Sequence, residues 1–246
     1  MRTGAIASYG SDRPRAYEVL TSCAARRSRT ILRGLFPPTD SRTAAFTSAC
    51  PIYSAVPTQP AAAELLADLS KVLTRWGRWY VFGAQAVIAY GVPRLSADVD
   101  VTIELRPEEP QRFAGEMQAA GFALRVEGDD FIRRTRVMPF VHVATAMPLD
   151  IVLAGSGLED EFLDRARVVD ISGVSVPVID PEDLIIAKVL AGRSKDIDDA
   201  RSLWRLHGHE LDAERVRGTL GLLEEALGQS DLMPAFESIV KDARAR

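Results

Sequence analysis

The tightest constraint in this chain is an alternation of acid and valine, Asp98-Val99-Asp100-Val101. Side chains two apart on a strand share a face, so Asp98 and Asp100 project together while Val99 and Val101 point into a core. Two like charges about 4 Å apart repel by roughly 4 kcal/mol at an effective dielectric of 20. A folded chain keeps such a pair beside a compensating cation. Hard divalent ions such as Mg²⁺ favour carboxylate oxygens, and they bind through one or two carboxylates plus substrate phosphates. Just upstream, the apolar run Tyr80-Val81-Phe82 stops at Gly83, and an apolar helix runs from Ala84 to Tyr90, closed by Gly91. Glycine between a strand and a helix lets the backbone approach a ligand, and helical N–H groups there can meet a phosphate. Residues 80–104 thus read as strand, glycine turn, helix, loop and strand, and the pattern points to a metal–nucleotide site.

Around this stretch the expected fold class is α+β: a mixed, curved β-sheet flanked by helices, followed by a helical C-terminal part. Residues 61–76 form an amphipathic helix, with Leu65, Leu66, Leu69, Val72 and Leu73 at helical spacing. A second helix is expected over 106–121. Strands are expected over 122–126 and 131–137 around a Gly128-Asp129-Asp130 turn, which places Arg133, Arg134 and Arg136 on a strand. That cluster is either a solvated face or a guide for a polyanionic acceptor. The apolar stretch 141–153 carries Asp150 within Leu149-Asp150-Ile151-Val152-Leu153. An isolated buried carboxylate is costly, so Asp150 is expected to be paired, metal-bound or at a strand end. A hairpin is expected over 167–179 around Ser172-Gly173. Asp180-Pro181-Glu182-Asp183 is a strong helix start. The helix it opens carries Lys188, which either snorkels to the surface or reaches a phosphate. Asp196 and Asp199 share a helical face at i, i+3, and Lys188 and Lys195 are equally readable as their ion-pair partners or as triphosphate ligands. His142 reads as a packed strand residue. His207 and His209 mark a helix end, because i, i+2 spacing across glycine fixes no ligand geometry. Helices are expected over 212–227 and 231–243, each opened by an aspartate.

Taken together, Gly83-Ala84-Gln85-Ala86, Tyr90-Gly91, Arg94, Ser96, Asp98 and Asp100 resemble the signature of the DNA polymerase β-like nucleotidyltransferase superfamily. Within it the pattern is similar to the minimal bacterial AbiEii/AbiGii toxin-like proteins, over residues 65–206. The segment from Lys188 through Arg193, Lys195, Asp196 and Asp199 resembles a second motif of that group. Ala84 stands where the group has a second Gly or Ser, so a backbone N–H remains but no hydroxyl is supplied. The resemblance implies transfer of a nucleoside monophosphate from an NTP to a hydroxyl, with two Mg²⁺ ions. It implies that Asp98 and Asp100 bind the metals, that Asp150 completes the site, and that Gly83 and Ala84 hold the triphosphate. It also implies a toxin-type acceptor, a tRNA end or a protein side chain, and an antitoxin partner. A small-molecule acceptor, as in antibiotic nucleotidyltransferases, is the alternative enzyme; a degenerate nucleotide-binding or partner-binding module is the alternative outside enzymes. From residue chemistry alone Arg94 either pairs with Asp98 or Asp100 or neutralises a phosphate, and Ser96 caps the turn before the strand.

Composition narrows the class further. No apolar run approaches the roughly 20 residues needed to span a bilayer. Cys23 and Cys50 lack metal-type spacing, so a reducing cytoplasm is the expected location. The formal net charge is −4, yet residues 1–59 hold eight arginines against Asp12, Glu18 and Asp40, which leaves the remainder distinctly acidic. An acidic body disfavours general polyanion binding. Residues 1–59 show no sustained period and are expected to be a disordered tail or an over-long start of the reading frame; a basic arm and an organelle transit peptide are the competing readings. The expected organisation is an extension over 1–59, a catalytic core over 60–180 and a helical part over 181–246.

Overall fold

Strand β2 (Val99–Ile103) is buried along its whole length and sits in the middle of a seven-stranded sheet. The computed structural model describes residues 60–126, 128–155 and 157–244; the readings made for residues 1–59, both cysteines included, lie outside the described residues. In chain order the elements are α1 (Ala61–Leu73), β1 (Trp79–Phe82), α2 (Gly83–Ala89), β2, α3 (Pro110–Ala119), β3 (Phe122–Leu124), α4 (Asp129–Thr135), β4 (Val137–His142) and β5 (Met147–Leu153). They continue with α5 (Leu158–Arg165), β6 (Arg167–Ile171), β7 (Val174–Val178), α6 (Pro181–Ala191), α7 (Ser194–His207), α8 (Ala213–Leu227) and α9 (Leu232–Arg244). The sheet order is β3-β4-β5-β2-β1-β7-β6. β2 runs parallel to β5 and β1 parallel to β7, while the other neighbours are antiparallel. The fold is therefore the mixed sheet flanked by helices that the alternating pattern implies.

The two faces of the sheet differ. Val99, Val101, Ile103, Leu149 and Ile151 share one face with Val81 and Phe140, and all are fully buried with the apolar stripe of α1 and with Phe113 and Met117 of α3. Burying each such side chain contributes about 1.5–3 kcal/mol. On the opposite face stand Tyr80, Phe82, Asp100, Asp150 and Val152, in register across β1, β2 and β5. A small satellite cluster lies there: Val137 and Val152 pack against Phe82 and Phe131.

Two sequence expectations are corrected. Residues 131–135 are helical, part of α4, and the following strand starts only at Val137. Asp129 and Asp130 favour the first turn of a helix and Arg133 and Arg134 its last, a pattern that outweighs the aromatic and β-branched content. The arginine cluster is accordingly not on a strand: Arg133 pairs with Asp130, and Arg134 donates to the Asp130 carbonyl at 3.2 Å. Arg136 ends the helix in the left-handed region (φ 53°), and its guanidinium donates to the carbonyls of Leu153 and Ala154. Helix α3 is also shorter than its expected span. It begins at Pro110 rather than near Pro107, with proline at the first position, where its missing N–H costs nothing.

Ions tie the start of α6 to β6, α5 and α8, with Arg167 of β6 paired to Asp180 at 2.6 Å. Asp180 caps α6, accepting from the Glu182 N–H at 3.0 Å. Asp183 is 0% exposed and accepts from Arg165 at 2.8 Å and from Arg215 of α8 at 2.9 Å. Burial pushes its carboxyl up even against these two guanidiniums.

Glu159 has no comparable partner. It is 1% exposed in the first turn of α5, and neither of its carboxylate oxygens makes a full hydrogen bond among the described residues. Burial pushes its carboxyl up to about 7, only partly offset by backbone N–H groups and the Arg136 charge. The folded value lies above the ordinary 4.5, so the folded state holds the extra proton and stability falls as pH rises from about 4.5 through about 7. Glu159→Gln is expected to leave stability at pH 5 nearly unchanged. At pH 8 it should raise stability by on the order of 2 kcal/mol. Urea unfolding of both chains at the two pH values checks this; an equal effect at both would contradict it.

Candidate active site

Gly83 and Asp100 approach each other so closely that only glycine fits. Gly83 sits at φ +68°, between β1 and α2, and a Cβ there would lie 2.2 Å from Asp100 Oδ2. The β1–β2 register brings this about, since Phe82 pairs with Asp100. On the other side of β2, Asp100 pairs with Asp150 in the parallel β2–β5 ladder, so both carboxylates rise from the same face of the sheet. Asp98 comes just before the strand. Its position is fixed by Ser96, whose hydroxyl donates to the Asp98 carbonyl at 2.9 Å and lies 3.1 Å from Asp98 Oδ1. Ser96 thus caps the turn, as its sequence position suggests.

A pocket of about 280 Å³ opens above this face. Its floor is apolar, formed by Phe82 and Val152. One wall carries Gly83, Ala84, Ser96, Asp98 and Asp100; the other carries Arg94, Lys188, Arg193, Lys195 and Asp196. Acids and a larger number of bases therefore line one pocket. Asp150 stands one strand further out, where its Oδ1 accepts from Arg125 Nη2 at 3.0 Å.

The positive wall is built around a buried lysine. Lys188 Nζ donates to Asp196 Oδ1 at 2.9 Å and to Asp199 Oδ2 at 2.8 Å. Asp199 also accepts from Arg94, and Asp196 from Arg193. Burial alone would raise the Asp196 carboxyl, yet Arg193 and Lys188 overcome it and hold it below the usual carboxylate range. Arg94 is thereby tied to Asp199 of α7. The i, i+3 spacing of Asp196 and Asp199 and the position of Lys188 signal this network; the place of Arg94 in it is set by the tertiary fold. The histidines behave as expected. His142 is buried with Nδ1 at 2.9 Å from Thr145 Oγ1, His207 Nε2 lies 2.8 Å from the Tyr90 carbonyl, and His209 is exposed beside Glu210.

The donor set suits a hard divalent ion. Two carboxylates stand at the pocket beside an open space where any Cβ at residue 83 would intrude. Among the described residues, no three His, Cys, Asp or Glu side chains are gathered closely enough to hold an ion by themselves. Phosphate oxygens of a bound nucleotide are the natural complement.

Two outcomes follow from this geometry. Lys188→Ala removes the shared buried cation and leaves Asp196 and Asp199 with one arginine each, so it is expected to destabilise the fold by about 1–3 kcal/mol. A thermal melt unchanged by the substitution would show that Lys188 does not carry the wall. Gly83→Ala forces Asp100 out of place, so Mn²⁺–nucleotide binding by calorimetry is expected to weaken at least tenfold (roughly 1.4 kcal/mol). Unchanged affinity would remove Asp100 from the site.

Residues 63–219 match the family model described as a nucleotidyltransferase of unknown function (DUF6036). No curated protein matches the chain. Among solved structures, one similar chain is ANT(2″)-Ia in complex with adenylyl-2″-tobramycin. It shows 16% identity and a TM-score of 0.46, over 73% of this chain and 98% of that one. Another is an antigenic nucleotidyltransferase-like protein from Paracoccidioides brasiliensis, with 15% identity and a TM-score of 0.45 over 73% and 90% of the two chains. Among the described residues no helix is long and apolar enough to cross a membrane. With most of its length matched by the family model, the chain belongs to the DUF6036 nucleotidyltransferases and is a transferase enzyme.

Proposed function

We propose that this enzyme transfers a nucleoside monophosphate from an NTP to a hydroxyl acceptor in a divalent-metal-dependent reaction. The observation that carries this is Asp100, seated between the side-chain-free Gly83 turn and Asp150 on one face of the sheet, opposite a basic wall. Asp98 and Asp100 would hold Mg²⁺ together with the triphosphate. The Gly83–Ala84 turn offers backbone N–H groups to the same phosphates. Lys195, Arg193 and Arg94 face the negatively charged tail, while Lys188 acts through them by anchoring Asp196 and Asp199. Asp150 completes the site on the acceptor side and accepts the proton of the attacking hydroxyl. The new bond joins the acceptor oxygen to the α-phosphorus, and the bond to the bridging oxygen breaks to release pyrophosphate. The metal supplies a lowered pKa for the attacking hydroxyl and charge neutralisation at the leaving pyrophosphate.

The resemblance to the AbiEii/AbiGii toxin-like group supports a macromolecular acceptor in the cytoplasm, a tRNA end or a protein side chain, and an antitoxin partner. A small-molecule acceptor is the second reading. It is favoured by the acid surplus outside residues 1–59, which works against polyanion binding.

Full-length protein with Mg²⁺, each α-³²P-labelled NTP in turn, and total tRNA, cell lysate or small-molecule extract tests the reading. Label is expected in one fraction, with at least a 10³-fold loss in Asp100→Asn (about 4 kcal/mol of lost transition-state stabilisation) and an unchanged melting curve. Label transfer that survives Asp100→Asn would refute the assignment.

A further inference from the structure

Four residues lie in a row across one face of the sheet, and the outermost is not explained by the site described above. Asp100 on β2 pairs with Asp150 on β5, Asp150 pairs with Pro139 on β4, and the Pro139 carbonyl accepts from the Arg125 N–H at 2.8 Å, just past the end of β3. The Cα atoms of Arg125 and Asp150 are two strand spacings apart, roughly 9–10 Å. A long side chain can bridge that distance only if the strand between is low, and Pro139 offers just a compact ring. Arg125 reaches over it and donates to Asp150 Oδ1 at 3.0 Å. The guanidinium is 43% exposed and the carboxylate 16% exposed. Arg125 can therefore leave for another anion without a large desolvation cost.

Resting on the proposed metal-dependent transfer, we infer that Arg125 is a positioning residue that links metal occupancy on the Asp150 side to acceptor binding. Arg125 and a divalent ion compete for the same carboxylate oxygens. While Arg125 holds Asp150, an ion on that side binds weakly. An acceptor that carries an oxyanion beside its reactive hydroxyl offers Arg125 a second partner, and Asp150 is released to the ion. The charge-assisted, forked geometry of guanidinium suits phosphate or carboxylate. The acceptor class is thus one with a phosphate or carboxylate close to the hydroxyl. Asp98 and Asp100, on the nucleotide side of Asp150, are untouched by this exchange, so nucleotide with its own ion binds first.

The test is Mn²⁺ binding followed by electron paramagnetic resonance on the full chain with an α,β-methylene NTP analogue, which cannot be turned over. The native chain is expected to bind one Mn²⁺ tightly and a second weakly. Arg125→Gln should tighten the second about two- to fivefold, the range of a partly exposed ion pair, while Arg125→Lys stays near the native value. At matched ionic strength, sulfate in place of chloride should tighten the second ion in the native chain and not in Arg125→Gln. A response to sulfate marks a phosphate-bearing acceptor; a response to acetate instead marks a carboxylate-bearing one. Equal second-ion affinity in the native and Gln chains, or no response to either oxyanion, overturns the inference. The sulfate and acetate series needs no variant and stands even if Arg125→Gln folds poorly. If the native chain binds no Mn²⁺ with the analogue and Asp100→Asn changes nothing, the proposed transfer itself fails instead.

Discussion

The pairing register of β2 is the constraint on which the rest of the site depends. One ladder sets Asp100 against Phe82, next to Gly83; the other sets it against Asp150. A slip of one residue would turn every side chain of the strand over. The carboxylates would then enter the fully buried face that α1 and α3 cover, and the valines would line the pocket. The apolar face thus fixes the register, and the register fixes the chemistry. Hydrophobic burial of Val99, Val101 and Ile103 is what holds two acids together on the other face against their mutual repulsion.

The pocket separates its charges by structural element. The acids come from the sheet and the turn before it. The bases come from the loop after α2 and from α6 and α7. A bound metal–nucleotide would satisfy both sets of charges at once. On the basic side, two carboxylates are shared among Lys188, Arg94 and Arg193, so the group retains net positive character while its members are held in fixed positions.

Much of this arrangement is legible in the sequence because it is local. The Asp-x-Asp alternation, Gly83 between an apolar strand and helix, the Asp180-Pro181 start of α6 and the spacing of Asp196 and Asp199 each depend on residues within one or two turns. What escapes the sequence is long-range. Arg94 finds Asp199, 105 residues away, and Arg125 finds Asp150 across an intervening strand. Nothing in either segment names its partner. The reading of residues 131–137 as a strand fails for a related reason. Phe131 and Ile132 suit either state, and the deciding signals are the acids at one end and the arginines at the other, which match a helix dipole.

Arg215 gives α8 a part in the site although none of its residues lines the pocket. From α8 it grips Asp180, Glu182 and Asp183 at the start of α6, and α6 goes on to supply Leu184, Ala187, Lys188 and Ala191 to the pocket. The helix is clamped by its first turn and works with its last two, like a lever fixed at one end. Sequence drift in α8 therefore reaches the pocket through one guanidinium as well as through apolar packing. Changes that shift Arg215 move the start of α6 and, with it, the seat of Lys188. Tolerance to variation in this protein should accordingly follow connection to that pivot more closely than distance from the nucleotide.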